Sequence, residues 1–174
     1  MSKSIVAITK GTDAEKMLEE ALSHLGGVSS LIKPNSTVVI KPNAGHAFPP
    51  GTSVNTSPEM VSAVIKNIRK ASPKQIILVE AASIGSDTME CLKISGIRKA
   101  AEEAGVDKII DIKGERDLIK IPIRDAISDL PLVLLPRFLI EADHLVNVPI
   151  FKSHVSMVFS CALKNIKGVV QDKV

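Results

Sequence analysis

Short apolar runs rich in β-branched residues alternate with helical stripes along this chain, and that alternation limits the fold more than any other feature. Thr37-Val38-Val39-Ile40 and Gln75-Ile76-Ile77-Leu78-Val79 have no polar face, and residues 145–148 come close to the same pattern. A strand without a polar face is covered on both sides, the habit of parallel sheets packed between helices. Met60, Val61, Val64, Ile65 and Ile68 recur at helical spacing, as do Met17, Leu18, Ala21, Leu22 and Leu25. Thr12 or Asp13 caps the first of these helices and Gly26-Gly27 ends it. Thr56-Ser57-Pro58-Glu59 opens another, with a hydroxyl cap, a proline in the first turn and an acid at the positive dipole end. The expected fold is α/β: a single three-layer domain over residues 1–174, with a mainly parallel sheet covered by helices on both faces.

Weaker patterns complete the reading. Residues 4–9 are expected to form a first strand, and residues 108–112 another. A short helix spans residues 88–94 and breaks at Gly96; Ile97, Ala100, Ala101 and Ala104 line the next. Ile119, Ile121 and Ile123 suggest an exposed or edge strand, residues 132–135 a short strand, and residues 136–141 a turn of helix. Met157 to Leu163 is apolar and leads into a helix or turn. Residues 41–55 form a long loop rich in Pro, Gly and Asn, of a length usually kept for function.

Composition narrows the function. Of 174 residues, 45% are hydrophobic, but there are only four Phe and no Trp or Tyr. The core is therefore aliphatic, and the aromatic platforms that hold single-stranded nucleic acid are missing. A net charge of +3 is mild and suits a small anionic ligand better than a nucleic-acid backbone. No apolar run approaches the roughly 20 residues a membrane-spanning helix needs, and no signal peptide is visible. Cys91 and Cys161 lie far apart, as in a reduced cytoplasmic protein, and two thiols cannot supply the four that usually hold an iron–sulfur cluster.

Three strand ends carry the chemistry. Val38-Val39-Ile40 runs into Lys41-Pro42-Asn43, with His46 behind; Ile77-Leu78-Val79 runs into Glu80; residues 146–150 run into Lys152-Ser153-His154. Ligands in open parallel sheets sit beyond the carboxyl ends of the strands, so parallel neighbours would bring these groups to one rim. The helix start at Thr56-Ser57 would lie on the same rim, with free backbone N–H groups suited to an anion. Lys164-Asn165-Ile166-Lys167-Gly168 adds two cations and an amide beside a glycine that permits close backbone approach. Lys41, Lys152 and Lys164 are read as anion ligands, with Ser57 at the helix start beside them, Asn43 and Asn165 as orienting groups, and His154 as the proton carrier with Glu80 as its partner. Each has a plainer reading: a solvated loop lysine, a surface histidine, or a glutamate that pairs with a nearby lysine. A metal held by His46 and His154 is the weaker alternative, because neither lies in a zinc motif.

With these pieces in view, the chain resembles the family called domain of unknown function 362. The matching segments are Val39-Ile40-Lys41-Pro42-Asn43, Thr56-Ser57-Pro58-Glu59-Met60-Val61, Val79-Glu80, Ala142-Asp143-His144-Leu145-Val146-Asn147-Val148-Pro149, Lys152-Ser153-His154 and Leu163-Lys164-Asn165-Ile166-Lys167-Gly168. The resemblance implies an association with iron–sulfur proteins, whose ferredoxin-like module is not present in this sequence, and a chain that is the N-terminal part of a longer one. The layout is more loosely similar to the N-terminal half of nickel-dependent lactate racemases, whose cofactor lysine and metal histidines do not map here. The function expected is binding of an anionic small molecule or nucleotide-like cofactor, with redox or isomerase-type chemistry. The alternative is a non-catalytic partner domain for ferredoxin or another iron–sulfur protein. The cofactor itself is unknown from sequence.

Overall fold

The computed structural model describes residues 4–124, 131–154 and 158–171. Two early helices, α1 (Ala14–Ser23) and α2 (Val28–Leu31), precede the central strand β1 (Thr37–Pro42). Helix α3 (Pro58–Lys70) leads to β2 (Gln75–Glu80), and α4 (Thr88–Ile94) and α5 (Ile97–Glu103) lead to β3 (Lys108–Asp111). An antiparallel ribbon follows, β4 (Leu118–Pro122) with β5 (Leu132–Pro136), then α6 (Arg137–Glu141) and β6 (His144–Val148). A second ribbon, β7 (Lys152–His154) with β8 (Val158–Ser160), ends in α7 (Ala162–Ile166) and a 3-10 turn, Lys167–Val169.

The main sheet has the order β3-β2-β1-β6, with every pairing parallel. Successive residues of β1 and β2 face opposite layers. Val38, Ile40, Ile76 and Leu78 join α3, α4 and α5 in one aliphatic core. Val39, Ile77 and Val79 join Leu139, Val169, Leu135 and Phe138 on the other face. The sheet is thus the covered α/β layer that the unbroken apolar runs required. Each fully buried aliphatic side chain among these contributes about 1.5–3 kcal/mol. The chain moves outward from β1 to β2 and β3, then crosses under the sheet to add β6 on the other side of β1. The order reverses between β1 and β6, and that reversal opens a crevice beyond their carboxyl ends.

The caps follow local chemistry. Asp13 accepts from the Glu15 and Lys16 N–H groups to start α1. Ser57 accepts from the Met60 N–H to start α3, and Pro58 fills the first helical position.

Three expectations change. Residues 4–9 are not a strand: Ile5, Val6 and Ile8 are 70%, 80% and 90% exposed. A β-branched run becomes a strand only where a neighbour takes its backbone hydrogen bonds, and among the described residues no sheet edge does so. Lys152-Ser153-His154 is not the loop after a strand but itself a strand, paired with residues 158–160. The apolar stretch 157–163 is split between β8 and the start of α7, with Met157 outside the described residues. Residues 125–129, in the mixed stretch after Ile123, also lie outside them.

Candidate functional site

Beyond the carboxyl ends of β1, β2 and β6 lies a cavity of about 960 Å³. Lys41, Asn43, Glu80, Lys152, His154, Lys164 and Asn165 all line it, from four separate segments of the chain. So do His46, Ser83, Lys167 and Gly168.

The floor is dry. Lys41 ends β1 and Glu80 ends β2, with side chains only 1% and 2% exposed, and the Lys41 Nζ lies 2.6 Å from Glu80 Oε1. Lys41 Nζ also donates to the Pro42 carbonyl at 2.6 Å and to Asn165 Oδ1 at 3.4 Å. Glu80 Oε1 accepts from the Ala81 N–H at 2.8 Å, and Oε2 accepts from the Ala44 N–H at 2.6 Å. A buried ion pair repays its desolvation only when its remaining hydrogen-bonding capacity is met in this way. The pairing of Glu80 with a lysine, the plainer reading from sequence, is therefore the one observed, in a buried rather than exposed form. Gly168 closes over the pair: a Cβ there would stand 2.8 Å from Lys41 Cε and 3.0 Å from Glu80 Oε1. That contact gives the close approach inferred from sequence its physical cause.

Asn165 is a tie rather than an open contact. Its Nδ2 donates to the Lys41 carbonyl at 3.1 Å, the Pro42 carbonyl at 3.2 Å and Asn147 Oδ1 at 2.8 Å. Its Oδ1 accepts from Asn43 Nδ2 at 3.2 Å as well as from Lys41. Thr56, which from sequence was only a choice of helix cap, bridges two strand ends: Asn43 N–H donates to its hydroxyl, which donates to the Val148 carbonyl. Asn147 and Thr56 were missed as framework residues. Asn147 sits within an apolar run, and a lone amide there is the only local sign of a buried network.

The wall is cationic. Lys152 Nζ donates to Asn43 Oδ1 at 2.8 Å and to the Val54 carbonyl. Burial above all, and then Lys164, hold its ammonium below the ordinary lysine range against an opposing pull from Glu80. Among the described residues, Lys152, Lys164 and Lys167 have no acidic partner within ion-pair distance. His154 follows Lys152 two positions along β7. His46 is exposed, lies against Phe48 edge-on, and has its Nε2 3.3 Å from the Ser83 hydroxyl.

Ser57 does not line the cavity: its hydroxyl accepts from Met60 N–H at 3.2 Å and caps α3, while its neighbour Thr56 is the residue tied to the strand ends. Among the described residues no group of three or more His, Cys, Asp or Glu gathers to hold a metal ion. Both cysteines are unpaired, and burial pushes the Cys91 thiol up.

A parallel sheet with a lysine-walled cavity at its reversal point defines a class: α/β proteins that present a strand-end pocket. The model of a family described as a domain of unknown function, DUF362, matches residues 38–174, and the chain belongs to that family. It is also similar to a thylakoid-associated protein, sll1697, of Synechocystis, with 27% identity over 156 residues. The match covers 90% of this chain and 46% of that protein, so the chain spans about half the length of the curated relative. Neither match is a lactate racemase. No solved structure matches the chain.

Proposed function

We propose that the strand-end cavity binds a small anionic molecule. The observation that supports this reading is the imbalance of charge around the cavity. Among its described lining residues, Glu80 is the one acid, and it is already bound to Lys41. Lys164 and Lys167 remain as cations, with the Lys152 amine beside them, facing a space of about 960 Å³, within the range of small-molecule sites. An anion there would relieve the mutual repulsion of Lys152 and Lys164. Ser153, Ser160 and Ser83 supply hydroxyls for orientation. In this reading His154, which lines the cavity, moves a proton, and Asn43 sets the position of Lys152. In this reading Lys41, Glu80 and Asn165 shape the floor and do not touch the ligand's reacting atoms. Redox or isomerase-type chemistry on such a ligand, within one domain in the cytoplasm, completes the proposal.

The test is a thermal-shift series with phosphate, nucleotides and small organic acids. A ligand at 100 times its Kd adds about 2.7 kcal/mol, and each kcal/mol raises the midpoint by about 2–4 °C for a chain of this size. A stabilising anion that loses its effect in Lys164→Gln/Lys167→Gln supports the reading. A shift that survives in the double variant, or no shift with any anion, overturns it.

A second reading has its own observation. Phe151, Val158, Phe159 and Leu163 are exposed beside the lysines, with the two phenyl rings 5.7 Å apart. An apolar patch next to cations suits docking of an acidic protein such as a ferredoxin, in an accessory role without chemistry. Titration with an acidic ferredoxin should then give binding that weakens steeply with salt. The thylakoid association in the relative's name adds an anionic membrane surface as a second titrant. Among the described residues no helix is long and apolar enough to cross a membrane.

A further inference from the structure

We propose that Lys152 is an amine nucleophile that forms an imine with a carbonyl compound bearing a carboxylate or phosphate. The inference rests on the anion-binding reading above, and it assigns the substrate class and the reacting atom.

The geometry around Nζ carries it. Asn43 Oδ1 and the Val54 carbonyl accept two hydrogen bonds from Lys152 Nζ. A neutral amine has two N–H bonds and one lone pair. In the neutral form both hydrogens are taken by these two acceptors, which leaves the remaining tetrahedral position to the lone pair, and Lys152 lines the cavity. The acceptors are themselves fixed: Asn43 Nδ2 donates to Asn165 Oδ1, which is tied to β1. No carboxylate among the described residues lies within ion-pair distance to hold Lys152 as an ammonium. Burial above all, and then Lys164, disfavour its charge, against an opposing pull from Glu80. A desolvated lysine beside a second cation is one of the recognised ways to make an amine nucleophilic near neutral pH. Lys41 does not qualify, since its Nζ is committed to Glu80, Pro42 and Asn165.

The neighbours fit the rest of the substrate. Lys164 and Lys167 are cations on the same cavity, suited to an anionic group next to the carbonyl. The Lys152 lone pair adds to the carbonyl carbon, and the π pair moves to oxygen, which takes up a proton. The nitrogen loses a proton to give a neutral carbinolamine. A second proton on the hydroxyl lets it leave as water, the nitrogen pair forms the C=N bond, and loss of the last N–H proton gives the neutral imine. His154, two residues along the same strand, is the shuttle for these protons.

Borohydride trapping tests this directly. The protein is incubated with pyruvate in one arm and dihydroxyacetone phosphate in the other. Sodium borohydride then reduces any C=N bond to a stable secondary amine, and peptide mass spectrometry maps it. The expected result is a single dominant adduct on Lys152 in at least one arm, which identifies carboxylate or phosphate as the anionic group. In Lys152→Arg, whose guanidinium is no nucleophile near neutral pH, that adduct is lost and no other lysine takes its place. No adduct in either arm, or adducts spread over surface lysines alike in both proteins, overturns the imine and leaves anion binding standing. Loss of anion stabilisation in the wild type as well would bring down both readings.

Discussion

Two lysines on one cavity have opposite fates. Lys41, at the end of β1, is sealed beneath Gly168, in contact with Glu80 and held by a carbonyl and an amide. Lys152, on the β7–β8 ribbon, has two neutral acceptors and a second cation for company. The residue type is the same and the rim is the same. What differs is whether a carboxylate arrives from a neighbouring strand. Where it does, the lysine becomes part of the framework. Where it does not, the amine remains available to a ligand. A charged side chain at a strand end therefore marks a site only after its partner is known.

The comparison breaks most sharply at the floor. Glu80→Gln leaves the Lys41 charge buried without its counter-charge and should cost about 3–5 kcal/mol, whereas Lys41→Met with Glu80→Leu should recover most of that loss. Urea denaturation of the three variants checks both halves, and a single change that costs under about 1 kcal/mol would show that the pair is not structural. Gly168→Ala pushes a methyl group into the same pair and should cost about 1–3 kcal/mol. Its midpoint in urea measures this, and a neutral result would mean that the lid gives way freely.

The wall should behave differently. Lys164→Gln/Lys167→Gln should alter stability in the absence of ligand by no more than about 0.5 kcal/mol, as surface changes do. A large loss would place these residues in the framework with Lys41. The smallest effect is a slope. The folded pKa of Lys152 lies below that of the unfolded chain, so between the two values the unfolded state binds more protons and stability rises with pH. Below the folded value the penalty for charging Lys152 is fully present. Lys152→Met should lack this rise on the alkaline side, whatever offset it introduces. Parallel slopes for the two proteins would give Lys152 an ordinary environment.

Much of this was legible along the chain. Thr37-Val38-Val39-Ile40 had to be a covered strand, and Thr56 to Ile68 had to be a capped helix with one apolar stripe, because burial and capping are decided within a few residues. The polar groups that follow β1, β2 and β6 marked where a cavity would open. At the start of α3 the cap was legible in Ser57, whereas the tie of Thr56 to two strand ends depends on the path of the loop before it. Ile5, Val6 and Ile8 misled for the complementary reason: strand-like sequence does not provide an edge to pair with.

The sequence by itself determined the layers, the aliphatic core and the polar ends of the strands, since these follow from patterns of period two and period 3.6 that each segment carries alone. Tertiary packing alone brings Glu80 to Lys41, lets Asn165 stitch β1 to β6 through Asn147, and leaves Lys152 with no acid within ion-pair distance among the described residues. Those are contacts between residues tens to more than a hundred positions apart. Their energy depends on distance and on exclusion of water, and neither is set until the sheet order brings the strand ends together.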